Sequence, residues 1–232
     1  MGRDHALSGA LAFTAAAPLL HVTGYGLLAG AVLTAGAGVL PDIDEPGSTI
    51  ARSYGFLTEA FAFLVHGLSG GHRKGTHSII GAAVFTVGAW AAVHYDGTTA
   101  GKITLGVFLS LLLSAALRAL HIGGHHGDAL GIAAAATTIY WNVGLSSAWL
   151  CIALGAAAHI AGDMLTHGGC PIAYPLSRRE VHLLPADMRF TTGKIAEHWI
   201  VSPLLLAAIV YLAWRETGGV GFAHHLDSIV AK

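Results

Sequence analysis

Residues 24–44 read GYGLLAGAVLTAGAGVLPDID, a run of seventeen residues without a charge followed by a proline and two aspartates. A segment of this length and apolarity indicates a membrane helix, because a span across a bilayer needs about 20 such residues. Pro41 predicts the end of that helix, since proline lacks the N–H that a helix interior requires. Asp42 and Asp44 are therefore expected at the end of a membrane helix.

The whole chain has the composition of a membrane protein. Its 232 residues are 54% apolar and only 11% charged, whereas soluble domains carry about 25% charged residues. Twelve basic and thirteen acidic residues nearly cancel, so the composition argues against a nucleic-acid partner. The two cysteines provide neither a disulfide framework nor a Cys-x-x-Cys clip. Histidine is the unusual residue, with 15 copies.

Apolar segments recur along the chain and predict an all-α, polytopic bundle of six or seven short membrane helices. One membrane-embedded domain, residues 1–232, is expected. Residues 54–68 carry apolar side chains at near-helical spacing and predict an interfacial or re-entrant helix. The predicted spans are residues 6–20, 24–40, 78–95, 103–117, 129–141, 145–160 and 199–214.

The distribution of Lys and Arg predicts the orientation of the chain in a plasma or inner membrane. When seven spans alternate, nine basic residues fall on one side and three on the other. The side with nine is predicted to be cytoplasmic, because cytoplasmic loops carry an excess of Lys and Arg. The nine are Arg3, Arg52, Arg73, Lys74, Arg118, Arg178, Arg179, Arg189 and Lys194, and the three are Lys102, Arg215 and Lys232.

Two loop motifs with possible metal ligands are expected on this cytoplasmic side. Asp42 and Asp44 lie two residues apart, so in an extended turn they project to the same side. The alternative is ordinary turn chemistry, since aspartate is common in turns. His72 and His77 lie five residues apart around Gly75, which allows the loop to fold back. Thr76 and Ser78 are interpreted as helix caps.

A third motif lies at the end of the sixth predicted span. His159 and Asp163 are four residues apart, which places both on one helical face within reach of one metal ion. A single helical histidine is more often a core residue, but the carboxylate one turn away favours a ligand pair. His5, near the first span, and Glu197, before the last, complete the predicted set.

The combined set favours a site for two divalent ions, with Zn or Mn as the expected metals. Two adjacent ions stabilise the attacking and leaving oxygens of a phosphoester displacement and lower the pKa of a bridging water. Arg73 is predicted to act in catalysis by binding phosphate oxygens through its planar guanidinium group, and Glu197 is assigned a catalytic as well as a ligand role. The predicted ligands are His5, Asp42, Asp44, His72, His77, His159, Asp163 and Glu197.

The order of these motifs resembles the YdjM-like family of inner-membrane-associated, metal-dependent hydrolases. The resemblance runs from about His5 to the last span, and Glu197 stands where that family tends to place an acidic residue. It implies a membrane-embedded hydrolase. The chain departs from the family pattern at Lys74 and at His167. The resemblance rests on residues 40–44, 71–73, 76–78, His159, 163–166, Pro171 and Pro175.

The leading functional hypothesis is a metal-dependent hydrolase that acts on a phosphoester, such as a phospholipid, at the cytoplasmic membrane surface. Membrane lipids are the expected partners, and the oligomeric state is not predicted. A divalent-metal transporter or channel is the alternative, because His and Asp in membrane helices also form ion pathways. A third hypothesis is a membrane scaffold whose ions are structural only. A pathway needs polar residues at several depths, whereas the candidate ligands lie at helix ends on one side.

The remaining histidines form two further groups. His121, His125, His126 and Asp128 are interpreted as a Gly-rich polar turn, with a gate or a secondary metal site as alternatives. Residues 224–225 are both histidine and are predicted to be solvated on the opposite side of the membrane.

Overall fold

The computed structural model describes residues 2–140, 145–191 and 197–217. This part of the chain is all-α, as predicted, and contains two isolated β-bridges but no β-strand. A short 3₁₀ turn, Pro41–Asp44, follows the second helix. The helices are α1 (Gly2–Leu20), α2 (Gly24–Ala37), α3 (Phe56–Ser69), α4 (Ile79–His94), α5 (Thr99–Ala119), α6 (Gly127–Tyr140), α7 (Ala148–Met164) and α8 (Ser202–Glu216).

Three segments of the described chain are long and apolar enough to cross a membrane: Gly24–Asp44, Thr99–Ala119 and Trp199–Glu216. This number is smaller than the six or seven spans predicted from the sequence. Helices α3, α4 and α7 are apolar but have 14, 16 and 17 residues. At 1.5 Å per residue they are about 21 to 26 Å long, less than the hydrocarbon core of about 30 Å.

The ends of several helices meet at one end of the bundle. Asp163, near the end of α7, lies 3.6 Å from His5, near the start of α1. Arg118, near the end of α5, binds Asp128 at the start of α6 and donates to the backbone carbonyl of Ser53. These contacts bring together helix ends that are far apart in the sequence and place the predicted ligands at this end.

Close helix packing makes this convergence possible. Small residues allow helix backbones to approach each other. A Cβ atom added at Gly9 of α1 would collide with the backbone of Thr34 in α2, and one added at Gly155 of α7 would collide with Ala37. Phe13 is buried among these helices in the apolar core. The three helices are therefore held at a spacing that side chains at these glycines would not permit.

Helix α3 presents an apolar surface that the rest of the described chain does not cover. Phe56 is 80% exposed and Leu68 is 79% exposed, whereas Thr58 and Ala62 are buried. His66 joins this helix to the Pro41–Asp44 turn by donating from Nδ1 to the Asp44 carbonyl, 2.8 Å away. The segment predicted to be interfacial is thus a helix with an exposed apolar face, attached directly to the candidate site.

Candidate metal centre

The candidate site is built by three segments that are distant in sequence. Pro41 begins the 3₁₀ turn after α2 and places Asp42 and Asp44 there. The loop between α3 and α4 contributes His72 and His77, and Ser78 ends this loop by capping α4 through the backbone N–H of Gly81. The last turns of α7 contribute a third pair, which lies on one face of that helix. The segments at the ends of α2, α4 and α7 therefore position the three pairs of predicted ligands.

Four atoms from these segments face one another. His77 Nε2 lies 3.1 Å from His159 Nε2. Each of these nitrogens lies 3.6 Å from Asp42 Oδ1 and 3.6 Å from Asp163 Oδ2. Ligands of one tetrahedral ion with bonds of about 2.1 Å are about 3.4 Å apart, so these separations between nitrogen and oxygen atoms suit ligands of a shared ion, and Asp42, His77 and His159 form one group that could hold it. We call these four side chains the metal centre.

The hydrogen bonds of the two histidines place the single proton of each neutral imidazole on Nδ1. His159 Nδ1 donates to the Gly38 carbonyl at 2.7 Å. The Thr76 hydroxyl donates to Asp44 Oδ2, so its oxygen accepts from His77 Nδ1 at 2.9 Å. Each neutral imidazole has only one N–H, so both Nε2 atoms present lone pairs to each other. Two facing lone pairs require a cation for stabilisation, which is the arrangement of metal-binding histidines.

Asp163 has one carboxylate oxygen in use and one without a partner. Its Oδ1 accepts a hydrogen bond from Arg73 Nη2 at 2.8 Å. Its Oδ2 is buried and has no hydrogen-bond partner in the described part of the chain. An unpaired buried carboxylate oxygen is costly, and a divalent ion would offset that cost. The donors present therefore fit a divalent metal ion.

A family model described as YdjM inner membrane protein matches residues 1–224. The chain belongs to the YdjM inner membrane protein family. Neither the curated proteins nor the solved structures gave a significant match. The match confirms the resemblance noted from the motifs, and together with the apolar helices it supports a membrane location.

Three further predicted ligands surround the metal centre of this YdjM family member. His5 Nε2 lies 3.6 Å from Asp163 Oδ1, and its ring stacks on that of His159 at 3.8 Å. Asp44 Oδ1 lies 2.8 Å from His72 Nδ1. The ligand atoms of His5, His159 and Asp163, and those of Asp44, His72 and His77, are also close enough to share an ion.

Asp44 is completely buried, and both of its carboxylate oxygens accept hydrogen bonds. Burial acts to lower the pKa of His72, but the hydrogen bond to Asp44 and the charges of Asp42 and Glu45 raise it above its usual value. Asp44 thus holds His72 and, through the Thr76 hydroxyl, orients His77 in the YdjM site.

Two residues of the site were not identified from the sequence. Thr76, interpreted as a helix cap, instead links Asp44 to His77. Cys170 is buried, and its thiol donates to the His77 carbonyl at 3.2 Å. Burial raises the pKa of this thiol to about 12, which makes it a structural group. The position of Thr76 directly before His77 was the one available signal, because neighbours of ligand histidines often orient them.

The remaining predicted residues are Glu197, residues 224–225 and the turn at residues 121–128. Glu197 begins a short π-helical turn, Glu197–Val201, but its side chain lies outside the described residues, as do residues 224–225. His125 and His126 are exposed and their ring centroids are 3.8 Å apart. Asp128 is paired with Arg118. In the described ranges, no group suited to metal binding includes this turn.

Proposed function

We propose that this YdjM family member is a membrane-embedded, metal-dependent hydrolase that cleaves a phosphoester, with membrane phospholipids as the substrate class. The observation that supports it best is the metal centre, where four converging ligand atoms include the unpaired Asp163 Oδ2. Asp42, His77, His159 and Asp163 would hold the ion. A divalent ion supplies a Lewis acid for phosphoryl oxygens and lowers the pKa of water.

The contacts favour one tightly held ion per chain rather than the two expected from the ligand count. Both oxygens of Asp44 are already hydrogen-bonded, to His72 and to Thr76. A second ion at this position would have to replace those bonds. An ion at the metal centre would not have to replace these hydrogen bonds of Asp44, because Asp163 Oδ2 and both facing Nε2 atoms are available as ligands.

Arg73 is proposed to bind the phosphoryl group. One arm of its guanidinium group holds Asp163, and the same side chain lines a cleft next to the metal centre. Its backbone is left-handed, with φ of 56°, a conformation that non-glycine residues keep mainly where surrounding contacts enforce it. A guanidinium group can offer two parallel N–H groups to phosphate oxygens, so Arg73 both fixes a ligand and contacts substrate.

Helix α3 supports a lipid substrate. Its exposed apolar side chains include Phe56, Leu57 and Leu68, a surface suited to contact with acyl chains. The hydrogen bond from His66 to Asp44 connects this surface to the site. A phospholipid held beside α3 would have its phosphoester next to the metal centre while its tails remain in the bilayer.

We further propose that all seven helices other than α3 are membrane-inserted, and that the metal centre faces the cytoplasm. The seven predicted apolar segments coincide with these helices. The orientation rests on the nine-to-three bias of Lys and Arg between the two sides. Three of them, α4, α6 and α7, have 14 to 17 residues and would require local thinning of the bilayer or partial insertion.

The distribution of buried charges favours a hydrolase over a metal transporter. Every buried histidine or carboxylate in the described residues either belongs to the metal centre or contacts it. Deeper buried hydroxyls, such as those of Thr14 and Thr34, donate to carbonyls of their own helices. A transport pathway needs ion ligands at several depths, and the described helices supply them at one end only.

The proposal is tested by measuring metal content and phosphoester hydrolysis on the purified protein in lipid nanodiscs. Arg73→Lys should lose about tenfold or more in turnover, a larger loss than in metal content, since a point charge replaces a bidentate donor. Arg179→Lys, an exposed neighbour outside the cleft, is the matched control and should be unaffected. Inside-out vesicles, but not intact cells, should hydrolyse a phosphoester that cannot cross the membrane.

Two results would contradict parts of this proposal. Metal flux in proteoliposomes without hydrolysis of any phosphoester would establish the transporter instead. Hydrolysis of amides alone would retain the metal centre and refute the phosphoester assignment.

A further inference from the structure

A small cleft of about 150 Å³ opens beside the metal centre. It lies between the loop that carries His72 and the loop that follows α7. Binding pockets for drug-sized ligands are larger, roughly 300 to 1,000 Å³, so this cleft suits a small group rather than a sugar or a nucleotide. The side chains that line it include His72, Arg73, Lys74, Tyr174, Arg178 and Glu180.

The lining is predominantly cationic. Arg73 is the one cation of the three that forms an ion pair among the described residues, with Asp163. Lys74 Nζ donates to the Gly70 carbonyl at 2.7 Å and has no carboxylate partner among the described residues. Arg178 is exposed, and within the described chain it has no ion pair either. The exposed Glu180 is the single carboxylate of the lining, so the cleft carries an excess of positive charge.

The backbone around the cleft is shaped to present these cations. Gly70 and Gly71 have φ of 83° and 114°, left-handed values that glycine adopts readily. They fold the loop back so that Lys74 reaches the Gly70 carbonyl. On the opposite wall, a Cβ atom at Gly168 would collide with Arg73 Nη1. The absence of a side chain there gives the guanidinium group its place between the metal centre and the cleft.

Resting on the proposed hydrolase function, we propose that this cleft binds the second phosphoryl group of a diphosphate, which makes a lipid diphosphate the preferred substrate class. Arg73 binds Asp163 of the metal centre and also lines the cleft. It can therefore bridge two phosphoryl groups that are joined by one oxygen. Lys74, Arg178 and the Tyr174 hydroxyl are donors suited to phosphate oxygens. A phosphomonoester would occupy the metal centre and leave the cations of the cleft without a ligand.

The hydrolysis balances without a further reactant. Water adds to the phosphorus at the metal centre, and the phosphoanhydride bond from that phosphorus to the bridging oxygen breaks, by the same displacement at phosphorus that would cleave a phosphoester. One water proton goes to the bridging oxygen, which leaves with the phosphoryl group in the cleft, and the other stays on the new phosphate. The products are two monophosphates, one of which carries the lipid.

The test measures binding of inorganic pyrophosphate by calorimetry, beside the KM for a lipid diphosphate and for a lipid monophosphate. Lys74→Ala and Arg178→Ala should each weaken pyrophosphate binding about tenfold and raise the KM for the diphosphate equally. Both should leave the KM for the monophosphate unchanged. Arg179→Ala, the adjacent exposed arginine outside the cleft, should behave as the unmodified protein. Metal content and thermal unfolding of every variant verify that it is folded.

His159→Ala separates this proposal from the proposed function, since it should abolish hydrolysis, while the pyrophosphate binding that remains should still be weakened by Lys74→Ala and Arg178→Ala. Normal pyrophosphate binding and an unchanged diphosphate KM in Lys74→Ala and Arg178→Ala would overturn the cleft proposal, even if hydrolysis persists. Pyrophosphate binding that requires both cations, with neither a phosphoester nor a phosphoanhydride hydrolysed, would support the anion site and overturn the hydrolase instead. Cleavage of free pyrophosphate but not of lipid diphosphate would overturn the lipid assignment.

Discussion

Two histidine-rich regions lie at the same end of the helix bundle and have opposite structures. In the metal centre, His77 and His159 are fully buried. In the turn at residues 121–128, His125 and His126 are exposed. Both regions contain histidines and aspartate close together in sequence, so histidine content alone does not distinguish them.

The difference lies in where the aspartate oxygens and imidazole nitrogens find partners. In the turn, both oxygens of Asp128 accept from Arg118, so the carboxylate is already neutralised. In the metal centre, Asp163 Oδ2 has no partner in the described residues, and the Nε2 atoms of His77 and His159 face each other. Unused lone pairs that converge from separate segments, rather than local density of histidines, therefore identify the site.

The largest effect is expected from removing a ligand of the metal centre. His159→Ala and Asp163→Asn should each lower metal affinity by more than about 100-fold, beyond the loss typical for outer partners of ligands. His125→Ala combined with His126→Ala should leave metal content unchanged, because these side chains belong to no candidate group in the described chain. Elemental analysis after dialysis against a chelator measures both.

The comparison between the two regions would fail if the His125 and His126 double variant lost its metal. It would fail equally if His159→Ala and Asp163→Asn retained full occupancy and activity. Thermal unfolding of each variant provides the control for misfolding.

Part of the site was predictable from local sequence because its geometry is local. The four-residue spacing of His159 and Asp163 fixes both on one helical face. Pro41 begins the turn that places the two aspartates, although α2 already ends at Ala37, earlier than the proline predicted. The role of Thr76 was not predictable. It depends on a buried contact with Asp44, 32 residues earlier, and no periodicity encodes such a contact.

The fold, like the site, was predictable from the sequence only in part. Apolar runs located the helices, because burial in lipid or protein requires an apolar surface in either case. The number of membrane spans could not be predicted from these apolar runs. Helix α4, for example, contains 16 residues, and its apolarity does not determine whether it crosses a bilayer. Helix length relative to bilayer thickness decides that question.

An intermediate effect is expected from the hydrogen bonds that orient His77. Thr76→Val keeps the side-chain shape but removes the hydroxyl between Asp44 and His77. Metal affinity should fall about 10- to 100-fold, the range for partners of ligand histidines, and Thr76→Ser should restore most of it. Isothermal titration of the chelator-treated protein with Zn or Mn measures the change.

Ser78→Ala is the matched control for Thr76. Its hydroxyl caps α4 by accepting from Gly81 N–H at 3.1 Å, so its loss should cost about 1 kcal/mol of stability without altering metal affinity. Equal metal affinities in Thr76→Val and the unmodified protein would show that Asp44 does not orient His77 through this hydroxyl.

The smallest effect is expected in the turn. Asp128→Asn weakens the pair with Arg118, whose side chain is 37% exposed and contacts solvent. Exposed ion pairs contribute about 0.2 to 1 kcal/mol, and Arg118 retains its bond to the Ser53 carbonyl. The midpoint of thermal unfolding should therefore fall by a few degrees at most, and the difference should shrink at high salt. Metal content should stay the same, because Asp128 anchors α5 to α6 and has no contact with the metal centre.

A clear loss of metal in Asp128→Asn would mean that the turn helps to build the metal centre, and the two histidine-rich regions would then have to be treated as one site.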